Sequence, residues 1–294
     1  MITIRDLLCG VAVGDAIGYP LEFLRNPNKN DFENSMNAKI LNASDDTQMT
    51  LFLAEAIANY GINFAPDLPY IRWYSTQNRF KENSHLHDGL LSFECLYNLR
   101  EPGNTCMSAC NSLSKGEKVI NDSKGNGTVM RISPWALKAA MDDKLDYSHY
   151  AHLVRKDSLA THKHPEATES ATALFLILYF LVLGVKLEAG LILAIKEIDS
   201  YSRTYELLLK VINGELLDLE GWVAEEALYI ALSSVFRSTD YLTAIYNASV
   251  ISGDSDTCAS IAGAIAMCSG MEIPSHFIDK LDVLPAINYV SDCW

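Results

Sequence analysis

The stretch Ser252-Gly253-Asp254-Ser255-Asp256-Thr257 sets two carboxylates and two hydroxyls in four consecutive positions, directly ahead of a run of small apolar residues. That run reads as a tightly packed helix, and Gly253 lets the chain turn sharply into it. The same chemistry appears much earlier in Ser44-Asp45-Asp46-Thr47, again opening a helix. One acidic helix start is explained by capping and the helix dipole, which contribute about 0.5–2 kcal/mol. Capping uses one oxygen per start, whereas each of these starts offers at least three. With Glu22 added, five carboxylates brought together without cations would repel each other strongly. Bound divalent cations resolve the repulsion, and an oxygen-only set without His or Cys selects Mg²⁺, Mn²⁺ or Ca²⁺ over Zn²⁺. So many oxygens suit two ions that share bridging ligands around a water.

Two further segments carry polar chemistry. Gly125-Asn126-Gly127-Thr128-Val129-Met130-Arg131 is a glycine-rich turn entering a helix, a form that can cradle phosphate on backbone N–H groups and equally serves as a plain turn. It matches neither a Walker A loop nor a dinucleotide fingerprint, because no strand precedes it. Thr161-His162-Lys163-His164-Pro165 offers two imidazoles without a supporting Cys or His, so a hydrogen-bonding role outweighs a metal half-site. His87-Asp88 suggests an all-α metal phosphohydrolase, but that pattern needs an earlier histidine and none precedes His85.

The elements that must position these residues are helical. Met49, Phe52, Leu53, Ala56, Ile57 and Tyr60 repeat with the period of one helix face, with Ser44 as N-cap and Gly61 at the C-terminus. Thr3 caps a first helix through Ile4, Leu7, Leu8 and Val11, which the glycines and proline of 14–20 are expected to stop. Residues 26–43 hold six asparagines and read as a surface loop. Further helices are expected at 67–77, 88–99, 104–114, 128–141, 146–161, 166–184, 187–199, 203–213, 221–237, 240–250 and 257–269. Strand-like alternation is scarce. The fold expected is all-α, a single compact orthogonal bundle of ten or more helices forming one domain over 1–294, with no linker to divide it.

Composition narrows the setting. The net charge of −14 argues against nucleic acid or an anionic membrane as the main partner. Seven cysteines, an odd number without a Cys-x-x-Cys pair, read as reduced thiols in a cytoplasmic protein. The start of the chain lacks the pattern of a signal peptide. The uncharged stretch 171–185 is short for a membrane span and reads as the surrounded central helix of a bundle.

In order, these stretches resemble the ADP-ribosylglycohydrolase family. The resemblance rests on Gly14-Asp15-Ala16-Ile17-Gly18-Tyr19-Pro20-Leu21-Glu22, on Asp45-Asp46-Thr47-Gln48-Met49-Thr50, and on Pro102-Gly103-Asn104-Thr105-Cys106 followed by the glycine turn. Thr161-His162 and the late segment from Gly253 to Ala264 complete it. It implies an all-α hydrolase with a dinuclear Mg²⁺ (or Mn²⁺) centre that releases ADP-ribose from a modified protein, with arginine as the default acceptor; apart from the resemblance, a monomer is the default state. By motif position it implies Ser44, Asp45, Asp46, Asp254, Asp256 and Thr257 as metal ligands, and Glu22, Asp46 and Asp256 as catalytic groups. Glu101, Gly125, Gly127, Thr128, Met130 and His162 would contact substrate. The sequence departs from the pattern at Ser252, Ser255, Thr128 and Met267, where glycine, threonine, glycine and a small residue are usual. An inactive ADP-ribose-binding module and a hydrolase of another ADP-ribose conjugate are the alternatives.

Overall fold

The computed structural model describes residues 2–77 and 88–294. His87 lies outside the described residues. The described chain is helical throughout, with fifteen α-helices, four short 3-10 turns and no strand beyond two isolated bridges. In order the helices are α1 (Ile4–Gly18), α2 (Lys29–Met36), α3 (Asp45–Tyr60), α4 (Leu68–Gln77), α5 (Asn104–Ser114), α6 (Pro134–Ala140), α7 (Tyr147–Thr161) and α8 (Pro165–Val182). Then come α9 (Leu187–Ile195), α10 (Arg203–Ile212), α11 (Ala224–Phe236), α12 (Tyr241–Ser249), α13 (Ser255–Cys268), α14 (Ser275–Ile278) and α15 (Leu284–Cys293).

The core is organised by the contact between α1 and α13. Gly10, Gly14 and Gly18 lie four residues apart and so share one face of α1. A Cβ at Gly14 would sit 2.2 Å from the carbonyl oxygen of Ala259, and one at Gly18 would sit 2.6 Å from that of Ser255. A Cβ at Gly263 on α13 would meet the Gly10 carbonyl oxygen at 2.1 Å. The two backbones therefore touch directly, which offsets the roughly 1 kcal/mol that each helical glycine costs relative to alanine. Met267 fills the far end of this seam, its Cγ where a Gly10 side chain would begin. Because Gly18 packs on Ser255 and Asp256, the C-terminal end of α1 lies at the N-terminal end of α13.

Four expectations need correction. The glycines at 14 and 18 do not stop α1, which runs to Gly18 because they are its packing face. Residues 26–43 contain α2, started by a capping box in which Asn28 and Asp31 satisfy each other's backbone amides. No helix spans 88–99. Two 3-10 turns (Gly89–Ser92 and Glu94–Leu96) stand there instead, because the buried Glu55 carboxylate accepts the Leu90 amide at 2.7 Å and Gly89 takes a positive φ against it. The expected helix 128–141 breaks into a 3-10 turn (Val129–Arg131) and α6, with Pro134 starting the new helix at a position where its missing N–H costs nothing.

Helix α8 is long and apolar enough to cross a membrane by length and composition. It is 67% buried, between α6, α7, α9, α10, α11 and α13.

Candidate active site

Asp15, on the buried face of α1, joins that helix to the first acidic motif. Its carboxylate accepts the backbone N–H of Ser44 at 3.0 Å and that of Thr47 at 3.1 Å, and the Thr47 hydroxyl as well. Burial raises its pKa to about 6, against the pull of those donors. Helix α1 thus holds the start of α3 through Asp15 and the start of α13 through its glycines. The two acidic motifs meet as a result: the Thr257 hydroxyl donates to Asp46 Oδ2 at 3.2 Å across 211 residues of sequence.

Each motif also caps its own helix. The Ser44 hydroxyl accepts the Asp46 amide, and Asp254 accepts the Thr257 amide at the start of α13. Gly253 is required at that entry, because a Cβ there would lie 2.0 Å from the Glu220 carbonyl oxygen. Asn126 of the glycine turn donates to Asp254 Oδ2 at 2.7 Å and to the Gly221 carbonyl at 2.9 Å, tying the turn to the cage. Glu22 follows the 3-10 turn Tyr19–Leu21 at the end of α1. The Ser252 hydroxyl accepts the Asn26 amide at 2.9 Å, so the segment beyond Glu22 is fastened beside the second motif.

The result is a cleft of about 360 Å³ into which six carboxylates face: Glu22, Asp45, Asp46, Glu101, Asp254 and Asp256. Gly125, Gly127, Met130 and His162 form another part of its wall. Among the described residues, no lysine or arginine lines it. Burial, then the neighbouring charges of Asp254, Asp45 and Glu101, raise Glu22 to about 9. Burial is also the leading cause that drives Asp45, Asp46 and Asp256 well above the usual carboxylate range, followed by their acidic neighbours. Asp254 is raised by burial against hydrogen bonds that lower it.

These residues fit a metal. Glu22, Asp254 and Asp256 offer oxygens that all lie within 4.8 Å of one another. Among the described residues, the buried Glu22 Oε2 and Asp46 Oδ1 find no hydrogen-bond partner, an expensive state for a carboxylate that a hard cation relieves. Two of the expected residues stand back from the cleft wall. Ser44 is buried behind the first motif with its hydroxyl on the Asp46 amide, and the Thr128 hydroxyl donates to the Ala167 carbonyl at 2.8 Å. All the others line it. The motif reading assigned no role to Asp15 or Asn126. A carboxylate within an apolar helical run is the signal that marks Asp15; nothing local marks Asn126.

Phe23 and Glu101 shape the rim, and both are non-glycine residues with positive φ, 65° and 48°. Phe23 stacks on Trp222 with ring centroids 5.6 Å apart. With Glu22 they also wall an adjoining cavity of about 350 Å³, whose other sides include Ala16, Tyr19, Ala38, Ile40 and Leu41.

The family profile for ADP-ribosylglycohydrolase matches residues 3–292. The chain belongs to that family. Two relatives, each named ADP-ribosylarginine hydrolase Tri1, come from Serratia proteamaculans and Pseudomonas putida. They are 27% and 26% identical to this glycohydrolase-family chain, over 94% of its length and 74% and 73% of theirs. A solved ADP-ribosylglycohydrolase-related protein complex shares the fold, with a TM-score of 0.68 and 20% identity over 99% of this chain and 97% of the matched one.

Proposed function

We propose that this glycohydrolase-family chain is a metal-dependent enzyme that hydrolyses the bond joining ADP-ribose to an arginine side chain of a modified protein. The observation that carries the reading is the Thr257–Asp46 contact, which closes two acidic helix starts into one buried cage facing the glycine turn. The names of the two Tri1 relatives favour arginine as the acceptor. The adjoining cavity favours it too, since apolar walls with Glu22 and Glu101 at the shared edge suit an aliphatic stem with a cationic head.

Asp45, Asp46, Asp254, Asp256 and Thr257, with Glu22 at the edge, would hold two Mg²⁺ ions, Mn²⁺ being the substitute. Ser44 would act through its cap, by fixing Asp45 and Asp46. When bound, the ions supply positive charge against the ribose hydroxyls and the attacking water. The glycine turn presents backbone donors for the diphosphate. A cage carboxylate, Glu22 or one of Asp45 and Asp46, kept ionised by the nearby positive charge, accepts a proton from the water as it attacks the anomeric carbon. The carbon–nitrogen bond breaks, and the departing guanidine takes up the proton that the carboxylate received from the water, which returns the carboxylate to its ionised form. Seven free cysteines support a cytoplasmic setting.

The test is release of ADP-ribose from a defined arginine-ADP-ribosylated protein, with EDTA and then with Mg²⁺ restored. Turnover that stops with EDTA and returns with Mg²⁺ is expected. Binding of ADP-ribose without turnover would establish an inactive binding module instead. Activity confined to another ADP-ribose conjugate would replace arginine as the acceptor.

A further inference from the structure

His162 closes α7 as its C-cap, and its surroundings determine which ring nitrogen carries the proton. Its backbone amide donates to the Ser158 carbonyl at 3.0 Å. On either side, Asn121 grips the chain: its amide donates to the Thr161 carbonyl at 2.9 Å, and its carbonyl oxygen accepts the Lys163 amide at 3.1 Å. The imidazole is 1% exposed and has little room to turn. Its Nε2 edge lies 3.3 Å from where a Gly127 side chain would begin and 3.4 Å from the same point at Gly125. The Nδ1 edge faces the protein interior, 2.9 Å from the Thr161 hydroxyl oxygen.

That hydroxyl has one other partner among the described residues. Arg131 Nη2 donates to Thr161 Oγ1 at 3.0 Å. Arg131 is fully buried and held through both of its terminal nitrogens and its face. Its Nη1 donates to the Gly127 carbonyl at 2.6 Å, its Nη2 meets Asp157 Oδ1 at 3.3 Å, and its guanidinium lies 3.8 Å above the centre of the Tyr70 ring. Asp157 is fixed in turn by the Tyr70 hydroxyl at 2.5 Å and the Trp135 ring N–H at 3.2 Å. A guanidinium can only donate. The Thr161 oxygen is therefore an acceptor toward Arg131, and its own hydrogen needs an acceptor elsewhere. Nδ1 is the atom in place. If Nδ1 donated instead, the Thr161 hydrogen would be buried without a partner, at about 1–3 kcal/mol.

We infer that Arg131 and Thr161 are positioning residues that lock His162 in the Nε2–H tautomer, so that the ring offers a hydrogen-bond donor to an anionic or hydroxyl oxygen of the ligand beside the glycine turn. Burial, then the Arg131 charge, lowers the ring to about 3, so it keeps this single proton at neutral pH. Arg131 also holds the Gly127 carbonyl, so one buried cation orients both the turn and the imidazole that packs on it. The choice of ligand rests on the glycohydrolase reading. The choice of tautomer does not.

The experiment uses full-length ¹⁵N-histidine-labelled protein without ligand. His162 is assigned with His162→Gln, and two-bond ¹H–¹⁵N correlation spectra then show which ring nitrogen is protonated. The wild type and Thr161→Ser are expected to show Nε2–H alone. Thr161→Val, which removes the donor to Nδ1, is expected to give Nδ1–H or a mixture. In calorimetry, ADP-ribose should bind Thr161→Val about tenfold more weakly, with Mg²⁺ affinity unchanged, and Thr161→Ser should restore it. Protonated Nδ1 in the wild type would overturn the inference, and that spectrum decides even if Thr161→Val fails to fold. So would Thr161→Val with the wild-type tautomer and affinity. A wild type that binds no ADP-ribose would sink the glycohydrolase reading, while the ligand-free spectrum would still decide the tautomer.

Discussion

Gly14 and Ala259 meet backbone to backbone: a side-chain carbon on Gly14 would lie 2.2 Å from the Ala259 carbonyl oxygen. The oxygen belongs to a helix and cannot swing aside. Gly14→Ala should push α13 from α1, costing about 3 kcal/mol as an overpacked core substitution. The same displacement would carry Asp254 and Asp256 away from Glu22. Chemical denaturation and Mg²⁺ titration read the two effects. An unchanged midpoint together with unchanged metal affinity would refute the seam.

Asp256→Asn should abolish ADP-ribose release while the protein remains folded. It also replaces a carboxyl that burial and its acidic neighbours disfavour in the ionised form, so the metal-free variant should be more stable than the wild type. Thermal melts in EDTA compared with melts in Mg²⁺ test this, because the ion should stabilise the wild type and not the variant. A variant that turns over at the wild-type rate would remove Asp256 from the machinery.

Glu101→Gln addresses the acceptor. Glu101 stands on the edge shared by the cleft and the adjoining cavity. The variant should raise KM for an arginine-linked substrate about tenfold, near 1.4 kcal/mol, and leave free ADP-ribose binding unchanged. Equal losses for both ligands would place Glu101 on the ADP-ribose side instead.

His162 gives a stability signature with a definite sign. Its folded pKa, about 3, lies below the ordinary value near 6.5. As pH falls below about 6.5 the unfolded chain takes up a proton that the folded chain refuses, so stability falls with pH until about 3. At pH 5 the loss from this one group is about 2 kcal/mol. Denaturation of the wild type and of His162→Gln across pH 4–8 isolates it, since the variant should show a shallower acid slope. Parallel slopes would mean that the imidazole titrates normally.

Local chemistry wrote much of this protein into its sequence. Apolar residues at helical spacing mark α3, and Ser44 shows where it starts. The two acidic motifs announce an oxygen-only site, because no cap needs so many carboxylates. Their order along the chain matches the family that the full-length profile identifies. The capping pair Asn28 and Asp31 was also legible, and a reading drawn to the asparagines of that loop passes over it.

Other features exist only in three dimensions. Gly14 and Gly18 break a helix on propensity alone, and they remain helical here because the α13 backbone occupies the space that side chains would fill. A helix over 88–99 fails because Glu55, from a distant part of the chain, takes the Leu90 amide. Thr128 faces Ala167 rather than the cleft, a direction set by how the broken helix packs on α8. Capping and periodicity act over three or four residues, so a sequence displays them directly. The Thr257–Asp46 contact depends on how every helix between them packs, and no local spacing encodes that distance.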